Sequence, residues 1–486
     1  MIRKIFYFGM PGTITRSEVL AAQKVWGDGL LKISADRSNP SKAKATATDF
    51  ILKEYDYQYG PVAFKPTLTK APQTFRPTFE GALSYFVGGN PLYPNDNGFA
   101  TQTLWSSYKF ENNVIQLDGD SAISMGNVYL YDSTGAVTIV DKTFGYNKSL
   151  DGTININLHH SSGVVNGGSL PAQDLRQVAS NSSYVATLSD VLAAQTAWCE
   201  ALIKISADRS NYSKAKATAE NVIEQAYNYQ FGPVAFKPTL TQSPQTFRPT
   251  FDGALSYFVG GNSEYPQDKG FAVMSEWKSY KIENKVIQLD GDSAISMGNI
   301  YLYDSTGAAT IVDKTFGWNK SSDGTMRLNL HHSSEVTDKN QADSPTGAPL
   351  YRFLDRADGS HLFTNNLKEV DAITGARFAY EGIGFNTPIK GTQALYRFYN
   401  SSKDAHFYTA SEAEKNALVA PSSGYAFEGT AGNVLASGSV VTTSTPVYRL
   451  FNAGSGRHLF TIDQLERSNL LASSTGWVNE GVGFNV

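Results

Sequence analysis

The sequence is poor in the residues that most often carry chemistry. It holds one cysteine, Cys199, and seven histidines among 486 residues. A single thiol excludes intramolecular disulfides and any thiolate-rich zinc or iron–sulfur site. Charge is sparse too: charged residues make up 18%, and 41 Lys+Arg against 45 Asp+Glu leave a net charge of -4. With no basic surplus to hold a phosphate backbone, nucleic acid is not an expected partner. The apolar runs fall far short of the roughly 20 residues that a membrane span needs. What the chain does have is aromatic side chains, at 12%, within a hydrophobic fraction of 41%, which marks folded domains rather than disordered chain. At ~150 residues per domain, the length suggests about three. Residues 1–12 start with Arg3 and Lys4, and the apolar stretch Ile5–Met10 is shorter than the ~7–15 residue core of a secretory signal. The segment reads as an N-terminal arm, with a trimmed leader as the alternative.

Internal repetition organises the rest. Trp26 recurs as Trp198, Thr67 as Thr239, Tyr85 as Tyr257 and His159 as His331, each 172 residues on, without insertion or deletion. Whole blocks are identical, among them GPVAFKPTLT (Gly60, Gly232), PQTFRPTF (Pro72, Pro244), GALSYFVGGN (Gly81, Gly253), VIQLDGDSAISMGN (Val114, Val286) and LHHSS (Leu158, Leu330). A period this long means two complete domains, 15–163 and 187–335, joined by a linker at 164–186 rich in Gly, Ser and Asn.

Each copy reads as helices first and strands later. Ser17 and Ser189 are expected N-caps, and SKAKATATDFILKEY and SKAKATAENVIEQAY predict a second helix. Extended segments follow, punctuated by Asp118-Gly119, Ser133-Thr134-Gly135 and Asp151-Gly152, with Asp290-Gly291 and Asp323-Gly324 in the second copy. Four strands joined by tight turns make an antiparallel meander, and helices on one face of it give an α+β domain curled into a cone. That element order resembles the nuclear-transport-factor-2-like (NTF2-like, SnoaL-like) architecture.

Residues 348–486 differ. Three shorter units begin at Tyr351 (YRFLDRADGSHLFT), Tyr396 (YRFYNSSKDAHFYT) and Tyr448 (YRLFNAGSGRHLFT), and each runs to an acidic-glycine pair at Glu381, Glu428 or Glu480. They predict an α+β module with pseudo-threefold symmetry, its histidines being His361, His406 and His458.

The other four histidines sit in the final strand of each long copy. Side chains alternate along a strand, so His159 shares a face with Asn155, Asn157 and Ser161, while His160 goes with Ile154, Ile156 and Leu158. The same parity sets His331 and Ser333 against His332 in the second copy. Adjacent strand histidines point apart and cannot grip one ion, and neither copy offers a third histidine; zinc is therefore disfavoured. One His with Asp118, Asp120 or Asp141 would suit magnesium or manganese better. What remains is a pocket of hydroxyls and aromatics: Thr67 and Thr239 from FKPTL, Arg76 and Arg248 from TFRPT, Tyr85 and Tyr257 from LSYFVGG, Ser161 and Ser333 from HHSS. Hydroxyls both donate and accept, so such a set suits a small planar oxyanion and one ordered water.

The run FKPTL, QTFRPT, GALSYFVGG, LDGDSAISMGN, VDKTFG and LHHSS resembles the iota-class carbonic anhydrases, SnoaL-like proteins in which tandem copies occur. The resemblance covers both long copies. It implies reversible hydration of CO2 to bicarbonate in a pocket that needs no cofactor in several members, manganese being invoked for others. It also implies that Thr67, Tyr85, His159 and Ser161, with Thr239, Tyr257, His331 and Ser333, are the site residues. The expected roles are Thr67 and Ser161 orienting a water, His159 taking or relaying its proton, Tyr85 bonding a substrate oxygen, and Phe64, Phe86 and Phe144 forming an apolar wall. Because the fold commonly dimerises through its sheet, a pseudo-dimer between the copies or a homodimer is expected. Two other classes share the cone: a non-catalytic assembly module and a SnoaL-type isomerase or cyclase. The C-terminal units resemble repeats appended to secreted bacterial proteins. That resemblance implies export or the cell envelope rather than the cytoplasm and carries no settled activity. Exposed aromatics would suit stacking on sugar rings, hence glycan or envelope attachment, but the favoured reading is that Tyr, Phe and His at fixed spacing build the core of each unit.

Overall fold

The computed structural model describes residues 12–70, 73–164, 176–178, 184–336, 346–373, 377–388, 391, 393–436 and 444–486. The N-terminal arm or leader, residues 1–11, lies outside them, as does most of the linker. The chain forms two compact units, one holding both long copies and the other the C-terminal module. No helix among the described residues is long and apolar enough to cross a membrane.

In the first copy, α1 (Arg16–Ala35) buries Val19, Gln23, Trp26, Leu30 and Ile33, a stripe at helical spacing. Its N-cap is Thr15, not Ser17: the Thr15 hydroxyl accepts from the Glu18 amide, and Glu18 reaches back in a capping box. Thr187 and Asp190 repeat this in the second copy, displacing Ser189. A cap needs an acceptor three residues ahead of a free amide, which the serines, already inside the helix, cannot supply. Next come α2 (Pro40–Glu54), β1 (Ala63–Lys65), α3 (Phe79–Val87) and the single turn α4 (Phe99–Gln102). The meander follows as β2 (Trp105–Asp118), β3 (Ser121–Asp132), β4 (Val137–Lys148) and β5 (Ile154–Gly163).

The four-stranded antiparallel meander is present, but the sheet is wider than the sequence predicts. The segment carrying FKPTL adds β1 parallel to β5, with Phe64 opposite His159. Part of the expected linker, β6 (Arg176–Val178), pairs parallel with the end of β2. The sheet order is therefore β1-β5-β4-β3-β2-β6. The predicted turns hold glycines at positive φ: 56° at Gly119, 86° at Gly135 and 86° at Gly152.

The second copy repeats the plan with α5 (Leu188–Ala207), α6 (Tyr212–Ala226), β7 (Ala235–Lys237), α7 (Phe251–Val259), β8 (Trp277–Asp290), β9 (Ser293–Asp304), β10 (Ala309–Lys320) and β11 (Met326–Glu335).

Inside this unit the two sheets meet face to face. Val114, Met125 and Leu158 share one apolar cluster with Val286, Met297 and Leu330. Gln116 donates to the carbonyls of Pro233 and Asn329, and Gln288 reciprocally to those of Pro61 and Asn157. His160, grouped with the domain's own core in the sequence, instead stacks on His332 across this junction at 3.7 Å. The Thr143 hydroxyl meets His332 Nδ1 at 2.8 Å, and the Thr315 hydroxyl meets His160 Nδ1 at 2.8 Å. Burial holds both imidazoles below the ordinary value, His332 at about 4. His159 and His331 are pushed the same way. All four therefore bind protons more weakly folded than unfolded, so the unfolded chain takes up more protons as pH falls. Stability of the tandem unit is expected to decline below about pH 6.5, checked by Tm against pH; a Tm unchanged from pH 7 to pH 5 would refute it.

The C-terminal module repeats a hairpin, a short helix and a third strand. The units are β12 (Thr346–Asp355), β13 (His361–Thr364), α8 (Leu367–Ile373) and β14 (Phe378–Pro388); β15 (Gln393–Asn400), β16 (Ala405–Thr409), α9 (Glu412–Leu418) and β17 (Ala426–Ala436); and β18 (Pro446–Asn452), β19 (Arg457–Thr461), α10 (Gln464–Ala472) and β20 (Trp477–Asn485). The module is thus mainly β, each unit carrying one short helix. The repeated motif is a closed ring of charge. In each unit the arginine of the YR pair and the histidine meet the glutamate of the acidic-glycine pair, as in Arg352–Glu381 at 2.8 Å and His361–Glu381 at 3.2 Å. Each arginine also reaches the helix of the preceding unit, Arg352 to Glu466, Arg397 to Glu369 and Arg449 to Glu414. Tyr351, Phe353, Tyr396 and Phe398 are buried and build the core.

Candidate active site

The pairing of β1 with β5 builds the site, because it carries the chain straight from Lys65 into Thr67 beside the last strand. The Thr67 and Ser161 hydroxyls lie 2.6 Å apart, and those of Thr239 and Ser333 2.5 Å apart. Ser161 also donates to the Asp141 carbonyl at 3.0 Å, so its hydroxyl is fixed from two sides. Thr67 is half-buried and Ser161 fully buried, which puts the pair at the rim of the interior. Tyr85 on α3 brings its hydroxyl beside the hydroxyl and backbone amide of Thr67, yet among the described residues neither that buried oxygen nor that of Tyr257 makes a hydrogen bond of good geometry. A buried hydroxyl without a well-formed hydrogen bond is costly, and here it faces the only half-buried member of the set. Burial pushes both phenols above their ordinary value, so they remain donors.

Aromatic rings pack around these side chains. Phe64 stacks on His159 at 4.5 Å and meets Tyr85 edge-on at 5.6 Å. Phe144 packs on His159 at 4.6 Å, and Phe86 touches both Phe64 and Tyr85. His159 therefore points into the cone with Ser161, as strand parity requires.

Both nitrogens of His159 are taken. Nδ1 meets the Tyr55 hydroxyl at 2.9 Å and Nε2 meets Lys142 Nζ at 2.7 Å, while Trp26 Nε1 donates to the Tyr55 oxygen at 2.9 Å. The second copy repeats this with Tyr227, Lys314 and Trp198. Burial first, and the adjacent Lys142, hold His159 well below its ordinary value, so it is a neutral imidazole at pH 7. Sequence reasoning passed over Lys142, Tyr55 and Trp26. The signal was there: Lys142 shares its β4 face with Phe144, and Trp26 had already marked the repeat.

Arg76 and Arg248, expected in the pocket, lie elsewhere. Arg76 is clamped on Asp96 through Nε at 3.0 Å and Nη2 at 2.6 Å, and gives Nη1 to the carbonyls of Gln73 and Phe75. Arg248 does the same with Asp268. Each staples its own loop. Asp141 also leaves the site: it sits on the opposite face of β4, bonded to Ser162 and paired with Lys237 across the copies. It cannot share an ion with His159. Among the described residues, the group of carboxylates close enough to hold a cation is Asp355, Asp358 and Asp404 in the C-terminal module, already paired with Arg377 and Arg457.

The comparisons with known proteins fall on these same segments. A family model described as metal-independent carbonic anhydrase matches residues 17–163 and again 189–335. Residues 344–486 match a domain of unknown function, DUF5648. A metal-independent carbonic anhydrase from Nostoc sp. (strain PCC 7120 / SAG 25.82 / UTEX 2576) is 53% identical over 150 residues, covering 30% of this chain and 73% of that protein. Among solved structures, an iota-carbonic anhydrase from a cyanobacterium, complexed with bicarbonate, is 50% identical over 32% of this chain and 95% of its own, with a TM-score of 0.31. A ketosteroid isomerase-like protein from Erwinia carotovora atroseptica is 16% identical over 31% of this chain and 97% of its own, with a TM-score of 0.20. Since the family matches span more than half of its length, the chain belongs to the metal-independent carbonic anhydrase family and carries two copies of that domain.

Proposed function

We propose that each copy catalyses the reversible hydration of CO2 to bicarbonate and a proton without a metal. The observation that carries this is the fixed hydroxyl pair Thr67–Ser161, repeated as Thr239–Ser333, beside a buried phenol that makes no well-formed hydrogen bond among the described residues and is set among aromatic rings. CO2 is apolar and is accommodated by Phe64, Phe86 and Phe144. The hydroxyl pair holds a water in one orientation, which converts part of the entropic barrier into prior organisation. As the carbon bends, negative charge grows on an oxygen, and the Tyr85 hydroxyl is a donor already in place to receive it in a poorly solvated site. His159, neutral and held at both nitrogens, keeps the back of the pocket in register. The two copies pack face to face within one chain, and on this reading a single polypeptide is expected to suffice for activity.

The test is stopped-flow CO2 hydration by the purified full chain in a strong chelator, with metal analysis alongside. Turnover without stoichiometric metal is expected. No turnover, or turnover that the chelator abolishes and a divalent ion restores, would refute the assignment.

A further inference from the structure

Lys142 and Lys314 occupy an environment that disfavours charge. Each is 3% exposed, and neither forms an ion pair with a carboxylate among the described residues. Lys142 Nζ lies 4.6 Å from the Trp26 ring centroid and 5.8 Å from that of Phe144; Lys314 lies 4.6 Å from Trp198 and 5.9 Å from Phe316. Its polar contact is His159 Nε2 at 2.7 Å, or His331 Nε2 at 2.6 Å in the second copy.

Counting donors along this chain shows what the amine must do. An indole N–H only donates, so the Tyr55 oxygen accepts from Trp26. Burial keeps the Tyr55 phenol protonated, and its one proton is directed to His159 Nδ1. The neutral imidazole then carries its hydrogen on Nε2 and donates it to Lys142 Nζ. Only an uncharged amine has a lone pair to receive it. If Lys142 is an ammonium, the order reverses: Nζ donates to Nε2, the imidazole hydrogen moves to Nδ1, and the Tyr55 oxygen accepts twice, leaving its own O–H unpaired. The same two arrangements exist for Trp198, Tyr227, His331 and Lys314.

We propose that Lys142 and Lys314 are the proton acceptors of the hydration step, with the tautomer of His159 or His331 switching as each amine gains its proton. The assignment rests on the hydration chemistry proposed above. Lys142 is directly opposite Ser161 in the β4–β5 register, as Lys314 is opposite Ser333, and directly opposed side chains share a face with Cβ atoms roughly 5 Å apart. In the step, a lone pair of the water oxygen forms the new C–O bond and one C=O π pair moves onto its oxygen. A water O–H bond breaks and its proton forms the new N–H bond at Nζ as the amine gives up the hydrogen bond from Nε2–H. The imidazole Nε2–H bond breaks and an Nδ1–H bond forms, so the ring stays neutral. CO2, water and amine become bicarbonate and ammonium, with nothing oxidised or reduced. The ammonium arrangement leaves the Tyr55 O–H without an acceptor, which favours return of the proton to solvent.

Burial brings both amines down to about 7, so both forms are accessible at neutral pH. The groups around Lys142 are Trp26 from α1, His159 and Ser161 from β5, Asp141 behind it on the other face of β4, and Tyr55 through His159. Glu54, beside Tyr55, is raised to about 7 by burial, and Ala226 stands at its place in the second copy. Lys314 has in addition the thiol of Cys199, which burial pushes up to about 12 and keeps protonated.

Hydration by the full chain should rise with pH through about 7. The pair Lys142→Met and Lys314→Met should lose roughly 100-fold or more, the size of a general-base contribution, together with that rise, without a lower Tm. Lys142→Arg with Lys314→Arg, permanently charged, should fail equally. In the unmodified protein, 15N NMR of lysine Nζ should show two amines titrating near neutrality, a readout independent of turnover. Arginine variants that keep the wild-type rate, methionine variants that keep the wild-type profile, or two amines still charged at about pH 9 would overturn the proposal while leaving the hydration assignment standing. An unmodified protein that hydrates no CO2 would remove both.

Discussion

Replacing Thr67 and Thr239 together with alanine is expected to lower the CO2 hydration rate by about 100-fold or more, the loss typical of removing one preorganised donor from a reacting centre. Thr67 Oγ1 is one half of the hydroxyl pair, and Ser161 alone, tied to the Asp141 carbonyl, cannot define the position of a water. The fold should tolerate the change. Thr67 is half-buried in the loop after β1, and losing one hydrogen bond there costs about 1 kcal/mol. Each copy has its own pair, so Thr67→Ala by itself should leave the second copy turning over. Stopped-flow assays of both single variants and the double variant separate the contributions. An unchanged rate in the double variant would remove the hydroxyl pair from the mechanism.

The largest effect on stability is expected at Gly126. It lies on β3 where β2 bulges between Asn112 and Val114, and a Cβ added there would stand 2.0 Å from the Glu111 carbonyl oxygen and 2.8 Å from Asn112 Cα. Both obstacles are backbone, so no rotamer change relieves them. Gly298 repeats the situation against Glu283. Gly126→Ala should cost about 3 kcal/mol or more, the upper end for overpacking, and lower Tm by roughly 4 °C or more for a unit spanning residues 2–342. The damage should reach further than the strand, because Asn112 is bonded to Gln23 on α1 at 2.9 Å and Gln23 to Ser124 at 3.0 Å, and that network seats the helix bearing Trp26. Calorimetry on Gly126→Ala and Gly298→Ala tests this; a Tm within about 2 °C of wild type would show that the bulge yields more easily than its geometry implies.

Much of the site is legible in the order of residues alone. Strand parity assigns His159 and Ser161 to one face, and both lie inside the cone. Turn chemistry locates the glycines that close the meander. Parity cannot say what lies beyond each face, however. His160, beside Leu158 in the alternation, belongs to a junction with the other copy, and no local pattern distinguishes a core from an interface of equal dryness. Arg76 misleads for a related reason: a conspicuous arginine among pocket motifs suggests an anion site, but Asp96, twenty residues on, claims its guanidinium. The pairing of β1 with β5 is also hidden, because three residues are too few to show a period.

The sequence by itself determined that two equivalent domains exist, that each ends in a strand with one inward histidine and serine, and that thiolate or multi-histidine metal chemistry has too few ligands. These follow from counting and from backbone periodicity, which are local properties. Tertiary structure decided what the inward residues meet. Only packing brings Trp26, Tyr55, His159 and Lys142 from four separate segments into one hydrogen-bonded line, and only burial that outweighs the Asp141 carboxylate makes the lysine at its end readily neutral. Long-range contact and desolvation set that chemistry, and neither is written in the spacing of residues along the chain.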